Sequence, residues 1–215
     1  MNLKEKEDFF RSGKIPEEIK KCIADLDIES TLAAISKRHG LNEKDHEVFL
    51  QHCNKYLYSF DSNTHGFIRG LEDHISDGKE KSKVLAKDFK EKLLDPVVES
   101  LKEYNIRLDE ASEKIIYDSD TLKVTDKFIH YSKYPSVDPP QPIERVSKIS
   151  LHKNLWRTTV AFEVFIPDKG RWGTVDRPGI SFRTKKEANE FAGILEAAIM
   201  WGKFRIMYEN IENYY

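Results

Sequence analysis

The sequence predicts an α+β protein in which a helical bundle precedes an antiparallel β domain capped by a C-terminal helix. Three observations predict it. Apolar residues recur every three or four positions from Ile19 to Leu101, they alternate with a period of two after residue 120, and helical spacing returns from Ala188 to Ile199. The boundaries read as 1–104 for the bundle, 105–120 for a linker or a short helix around Ala111–Ile116, and 121–215 for the β domain with its helix and tail.

Pro16-Glu17-Glu18 opens the first helix, with proline at a favoured first-turn position and acids near the positive end; Ile19, Cys22, Ile23 and Leu26 then mark one face. Ser30 is placed to cap a second helix carrying Leu32, Ala34 and Ile35, which Gly40 stops. Asn42 and Asp45 start a third, with Val48, Phe49, Cys53, Tyr56, Leu57 and Phe60 on its face. Phe67, Ile68, Leu71 and Ile75 mark a fourth that ends near Gly78. A long fifth runs from Val84 through Leu85, Phe89, Leu93, Leu94, Val97 and Val98 to Leu101, with Pro96 inside it to kink or split it. Gly40 and Gly78 lie at similar places in two helix-Gly-helix outlines, but two copies fall short of a solenoid, so a compact bundle is expected.

In the second half, Trp156, Thr158, Val160, Phe162, Val164 and Ile166 alternate with more polar neighbours as in a strand with one buried face. Asp168-Lys169-Gly170 supplies a turn, and Arg171–Val175 returns as the paired strand. Thr121–Val124, Lys127–Ser132, Arg145–Leu151 and Gly179–Arg183 are further strands; Val146 and Ile149 fall on opposite parities, which implies a bulge. Thr184-Lys185-Lys186-Glu187 is a capping box. The stripe that follows it, Ala188, Phe191, Ala192, Leu195, Ala198 and Ile199, must cover apolar surface left open by the sheet. The aromatic tail Phe204–Tyr215 is too apolar to stand in water and is expected on its own helical domain, or else on a partner chain.

Composition narrows the functions. The 215 residues are 39% hydrophobic and 33% charged, as in a globular protein with an ion-rich surface. Residues 1–119 carry a net charge of −5 and residues 120–215 a net +3, which is weak for a nucleic-acid domain. No run approaches the ~20 apolar residues of a membrane span, and Met1–Glu7 lacks the apolar stretch of a signal peptide, so a cytoplasmic location is expected. Two cysteines, Cys22 and Cys53, cannot form a disulfide framework or a four-cysteine zinc site and are expected as reduced core residues.

The ordered runs Thr121-Leu122-Lys123-Val124-Thr125-Asp126-Lys127-Phe128-Ile129-His130-Tyr131, Pro142-Ile143-Glu144-Arg145-Val146-Ser147-Lys148-Ile149-Ser150-Leu151 and Ile180-Ser181-Phe182-Arg183-Thr184-Lys185-Lys186-Glu187-Ala188 resemble the bacterial pleckstrin-homology-like family over about residues 115–200. The resemblance implies a strongly bent antiparallel sheet, nearly a barrel or sandwich, plugged by the C-terminal helix. Eukaryotic members often bind phosphoinositides through a basic first hairpin. Thr125-Asp126-Lys127 offers one lysine beside an aspartate, so that activity does not carry over. The mid-helix tryptophan of those members is also missing, since Trp201 falls at the expected helix end. Bacterial relatives look like assembly or protein-binding modules.

Catalytic patterns are lacking. His46 and His52 are six residues apart rather than four, which points their rings in different directions, and they read as surface histidines. Neither a phosphate-binding glycine loop nor a G-x-S-x-G nucleophile turn is present, and the acidic pairs Glu17/Glu18 and Glu72/Asp73 read as solvated faces. No metal or cofactor is expected. The candidate partner-binding set is Lys153, Arg157, Arg171, Trp172 and Arg183, cations interleaved with Trp156 and Trp172 on neighbouring strands, suited to phosphate or acidic-peptide contact. The competing and favoured reading puts Trp156 in the core and pairs the arginines with Glu163 and Asp176. The leading expectation is therefore a non-enzymatic module that binds a protein or a second copy of itself. The alternative is nucleic-acid or anionic-membrane binding through the basic strip, and an unrecognised hydrolase or transferase stands third because folds do not fix function.

Overall fold

The computed structural model describes residues 16–59, 64–104, 113–131, 140–154, 156–168 and 171–212. It is α+β, with N-terminal helices preceding two antiparallel sheets and a C-terminal helix. The chain divides into two compact units, one drawn from Met1–Asp109 and Lys203–Tyr215, the other from Glu110–Gly202. No helix among the described residues is long and apolar enough to cross a membrane.

The first unit holds α1 (Glu17–Ala24), α2 (Ile28–Arg38), α3 (Glu43–Ser59), α4 (Thr64–His74), α5 (Gly78–Phe89) and α6 (Asp95–Leu101). The cap of α2 is Asp27, whose Oδ1 accepts from Ser30 N at 3.1 Å, so Ser30 is the capped rather than the capping residue. Gly40 ends α2 with a φ of +61°, the left-handed conformation that glycine adopts without strain. Gly78 does not end the fourth helix but begins α5, packed so tightly that a Cβ there would lie 2.5 Å from the carbonyl oxygens of Leu71 and Glu72.

Pro96 splits the fifth predicted helix through a π turn, Lys90–Leu94, which widens the ladder just before the residue that has no N–H to give it. Tyr56 stacks on Phe67 with ring centroids 4.5 Å apart, and Phe89 meets Phe67 at 5.6 Å, so α3, α4 and α5 share an aromatic centre. Cys22 and Cys53 are free and buried, and burial raises the pKa of both thiols. Val84, expected on the apolar face, is exposed. Phe60 lies outside the described residues.

The second unit begins earlier than its alternation suggested. Residues 105–120, read as linker or helix, contain strand β1 at Ile115–Asp118. It pairs with β2 (Leu122–Thr125), then come β3 (Phe128–Tyr131) and β4 (Gln141–Pro142), giving a sheet in the order β1-β2-β3-β4. The β2–β3 turn is held by Thr125, whose Oγ1 accepts from Phe128 N at 2.8 Å and Lys127 N at 3.2 Å. The second sheet contains β5 (Val146–Lys153), β6 (Thr158–Asp168), β7 (Arg171–Asp176) and β8 (Gly179–Phe182). The expected irregularity in β5 falls between Val146 and Lys148.

Strands β7 and β8 lie end to end along one side of β6 in a single register: Val164 faces Asp176, and Ala161 faces Gly179. At the break Phe162 N donates to Pro178 O at 3.1 Å, and proline has no N–H to return. The described strands form two sheets, and neither closes into a barrel. Helix α7 (Lys185–Glu212) supplies the cover: Ala188, Phe191, Ala192, Leu195, Ala198 and Ile199 share one core with Leu122, Val124 and Ile129 of the first sheet and Val146, Val160, Phe162, Val164 and Ile180 of the second. Its start is the predicted box, with Glu187 N donating to Thr184 Oγ1 and Thr184 N to Glu187 Oε2, both at 3.1 Å.

The helix does not end near Trp201 as expected. It runs to Glu212, which places Trp201 inside it and makes most of the predicted tail helical. In that last stretch Phe204, Met207 and Ile211 are buried at helical spacing.

Candidate functional site

Strand alternation sorts the side chains of the second sheet into two faces. The inner face, with Val160, Phe162 and Ile180, is consumed by the core. The outer face is left to solvent, and the register assigns its rows. Lys148 faces Glu163, and Arg177 closes that row by donating from Nε to Glu163 Oε1 at 3.0 Å. Ser150, Ala161 and Gly179 form the next row, then His152, Thr159 and Ser181. Thr159 and Ser181 share a hydrogen bond of 2.8 Å, and Ser150 Oγ lies 3.1 Å from His152 Nε2. A concavity of about 320 Å³ sits here, lined by Lys148, Ser150, His152, Ala161, Phe162, Glu163 and Arg177.

The last row holds two of the sequence-predicted cations. Thr158 pairs with Phe182; Arg157 precedes the one and Arg183 follows the other, so two exposed arginines flank the last paired row of β6 and β8. The turn beside them is built on Asn154: its Oδ1 accepts from Arg157 N at 2.8 Å and Trp156 N at 3.3 Å, and its own N–H reaches Arg157 O at 3.0 Å. Trp156 therefore stands on a braced turn, 85% exposed, not in the core. Among the described residues no carboxylate is ion-paired with Lys148, Arg157 or Arg183; the one ion pair on this face is Arg177–Glu163.

The predicted strip is thus broken up. Lys153 pairs with Thr158 on the core-facing parity at the rim of the sheet, away from the outer face. Arg171 pairs with Asp168 at the far end of β6, ten positions and roughly 30 Å from Thr158 at the usual strand rise. The side chains of Arg171 and Trp172 lie outside the described residues. Of the five candidates, Arg157 and Arg183 fall at the same end of the β6–β8 pair. Lys148, His152, Thr159, Arg177 and Ser181 were missed; aligning β6 both against β5 and against residues 171–183 as one continuous partner would have put them on the same face. The pairing expected of the arginines is made by Arg177 rather than by Arg157 or Arg183.

A larger cleft of about 630 Å³ opens in the same unit between Leu122 and Tyr131 on one side and Thr174, Asp176 and Pro178 on the other. Burial, and then the Asp176 carboxylate, push the Tyr131 hydroxyl far above its ordinary pKa, so it stays a neutral donor. His46 and His52, read as surface histidines, are half-buried, whereas His65 and His74 are exposed. His46 Nδ1 meets Ser36 Oγ at 2.7 Å, and the rings of His52 and His74 lie 5.6 Å apart. No group of three or more potential metal ligands occurs among the described residues. No family model, curated protein or solved structure matches this chain.

Proposed function

We propose that the chain is a non-enzymatic binding protein whose C-terminal unit is pleckstrin-homology-like and receives an anionic partner on the outer face of β5, β6 and β8. The family reading is supported by two antiparallel sheets that share a core with one C-terminal helix. The binding reading is carried by one observation: Arg157 and Arg183, both exposed, flank the last paired row at one end of the sheet without a carboxylate partner among the described residues. Among the described residues the fold makes no ion pair with either arginine, whereas an arriving anion gains two guanidinium donors. Retention on heparin-agarose tests this. A chain of net charge −2 is expected to bind at low ionic strength only if its cations are concentrated, and to pass through once Arg157 and Arg183 are both changed to Ala. Wild-type flow-through at low salt refutes the reading.

A protein partner is favoured by a separate observation further along the same face. Phe165 and Val175 are cross-strand partners, 45% and 51% exposed, and the Phe165 ring lies over Gly173. Light scattering after size exclusion is expected to show self-association that Val175→Asp abolishes; a wild-type monomer at every concentration removes the self-assembly form of this reading.

A further inference from the structure

On the outer face between β5, β6 and β8 the cations stand in two rows with none between them. Lys148 and Arg177 belong to one row, and Arg157 and Arg183 flank the other. Six positions of β6 separate Arg157 from Glu163, about 20 Å at a rise of ~3.3 Å per residue. Between them lie Ser150, His152, Thr159 and Ser181, which offer neutral hydrogen-bonding groups, and Ala161 and Gly179, which are too short to rise above the backbone. No carboxylate lies between the two rows; Glu163 stands in the first of them, paired with Arg177 and opposite Lys148. Three strands spaced ~4.8 Å apart make this track about 10 Å wide. Beyond its arginine end stands Trp156, fixed at its backbone by Asn154 and largely in solvent.

Resting on the anionic-partner reading above, we propose that the partner is a single strand of nucleic acid, with phosphates at the two cation rows and a base stacked on Trp156. A linear polyanion accounts for cations held at a fixed spacing along a narrow track. The hydroxyls and imidazole in the middle match sugar oxygens and base edges, and an open indole matches the π face that every base presents. A bilayer surface would be met by a broad cluster of cations rather than by a track with an uncharged centre. An acidic peptide would leave Trp156 without a role. The track accepts roughly four nucleotides, the low end of the ~4–16 covered by single-strand binding folds.

The test is fluorescence anisotropy of a labelled oligothymidylate titrated with the full chain at several salt concentrations, with phosphatidylglycerol vesicles and inorganic polyphosphate as parallel probes. The expected result is binding whose logarithmic salt slope is about −2 to −3, at ~0.7 per phosphate contacted. Changing Arg157 and Arg183 to Ala lowers that slope by about 1.4. Trp156→Ala weakens binding about tenfold at an unchanged slope, and Trp156→Phe restores most of it. All three substituted side chains are exposed, and unchanged thermal melts establish that the variants are folded. The proposal is overturned if the variants bind the oligonucleotide like wild type, or if polyphosphate binds equally well and Trp156→Ala has no effect. Binding of vesicles without the oligonucleotide also overturns it, while leaving the anionic-partner reading intact. Failure to bind oligonucleotide, vesicles and heparin alike removes both.

Discussion

Tyr56 on α3 donates its hydroxyl hydrogen to the main-chain carbonyl of Met207 on α7 at 3.0 Å, a buried bond between residues 151 positions apart. The ring is already fixed by stacking on Phe67, so the hydroxyl meets its acceptor at little further entropic cost. Tyr56→Phe keeps the stack and removes the donor, and is expected to cost about 1 kcal/mol in urea unfolding. Tyr56→Ala also opens a cavity and should cost about 3–5 kcal/mol. Equal midpoints for wild type and Tyr56→Phe would show that this bond adds nothing to stability.

Two glycines should respond in opposite directions to alanine. At Gly78 the new methyl meets backbone atoms of Leu71 and Glu72, which cannot rotate away, so Gly78→Ala is expected to lose about 2 kcal/mol or more. Gly193 is exposed within α7, and a Cβ added there would meet no heavy atom within 4 Å, so Gly193→Ala should gain about 0.5–1 kcal/mol from helix propensity. Differential scanning calorimetry of both variants checks the pair of signs.

Acid should weaken the first unit through His52. Burial, then the neighbouring His74 and then Lys55, hold its pKa below the ordinary histidine value. The unfolded chain therefore takes up this proton near pH ~6.5, while the folded chain still resists it. The contribution is complete above that pH and is lost as pH falls toward the folded-state pKa. Urea midpoints measured from about pH 8 to pH 5 are expected to fall below ~6.5, and His52→Asn should fall less steeply.

Trp156 and Thr184 separate surface from structure. Trp156→Ser is expected to change stability by less than ~0.5 kcal/mol, because the ring is exposed. Thr184→Ala should cost about 1 kcal/mol, because it leaves the Glu187 amide without its cap. Chemical denaturation distinguishes them, and a large loss for Trp156→Ser would place its ring against the protein.

Periodicity made the helices, most strands and the α7 stripe legible, because a buried face leaves a period in the chain. It carried the bulge in β5 and the capping box at Thr184 to the right residues. It failed where local chemistry competes with period. Trp156 continues the alternation of β6 by parity, yet the Asn154 turn ends the strand at Thr158 and leaves the indole outside. β4, only two residues long, leaves no period to detect. The candidate face failed in part for a different reason: which cations are neighbours depends on register. Arg171 and Arg183 look equivalent in sequence, but lie at opposite ends of β6.

The interruption at Pro178 bears on what can be added to the edge of the sheet. Without it, Arg171–Phe182 would present one long outer rim of backbone donors and acceptors, a template for adding another chain as a strand. The break divides that rim into two short lengths, and on the opposite side of the sheet the irregular start of β5 and its Lys148 and Lys153 do the same. Replacing Pro178 would repair a ladder bond and, by the same act, lengthen the rim on which fibrous aggregation can begin.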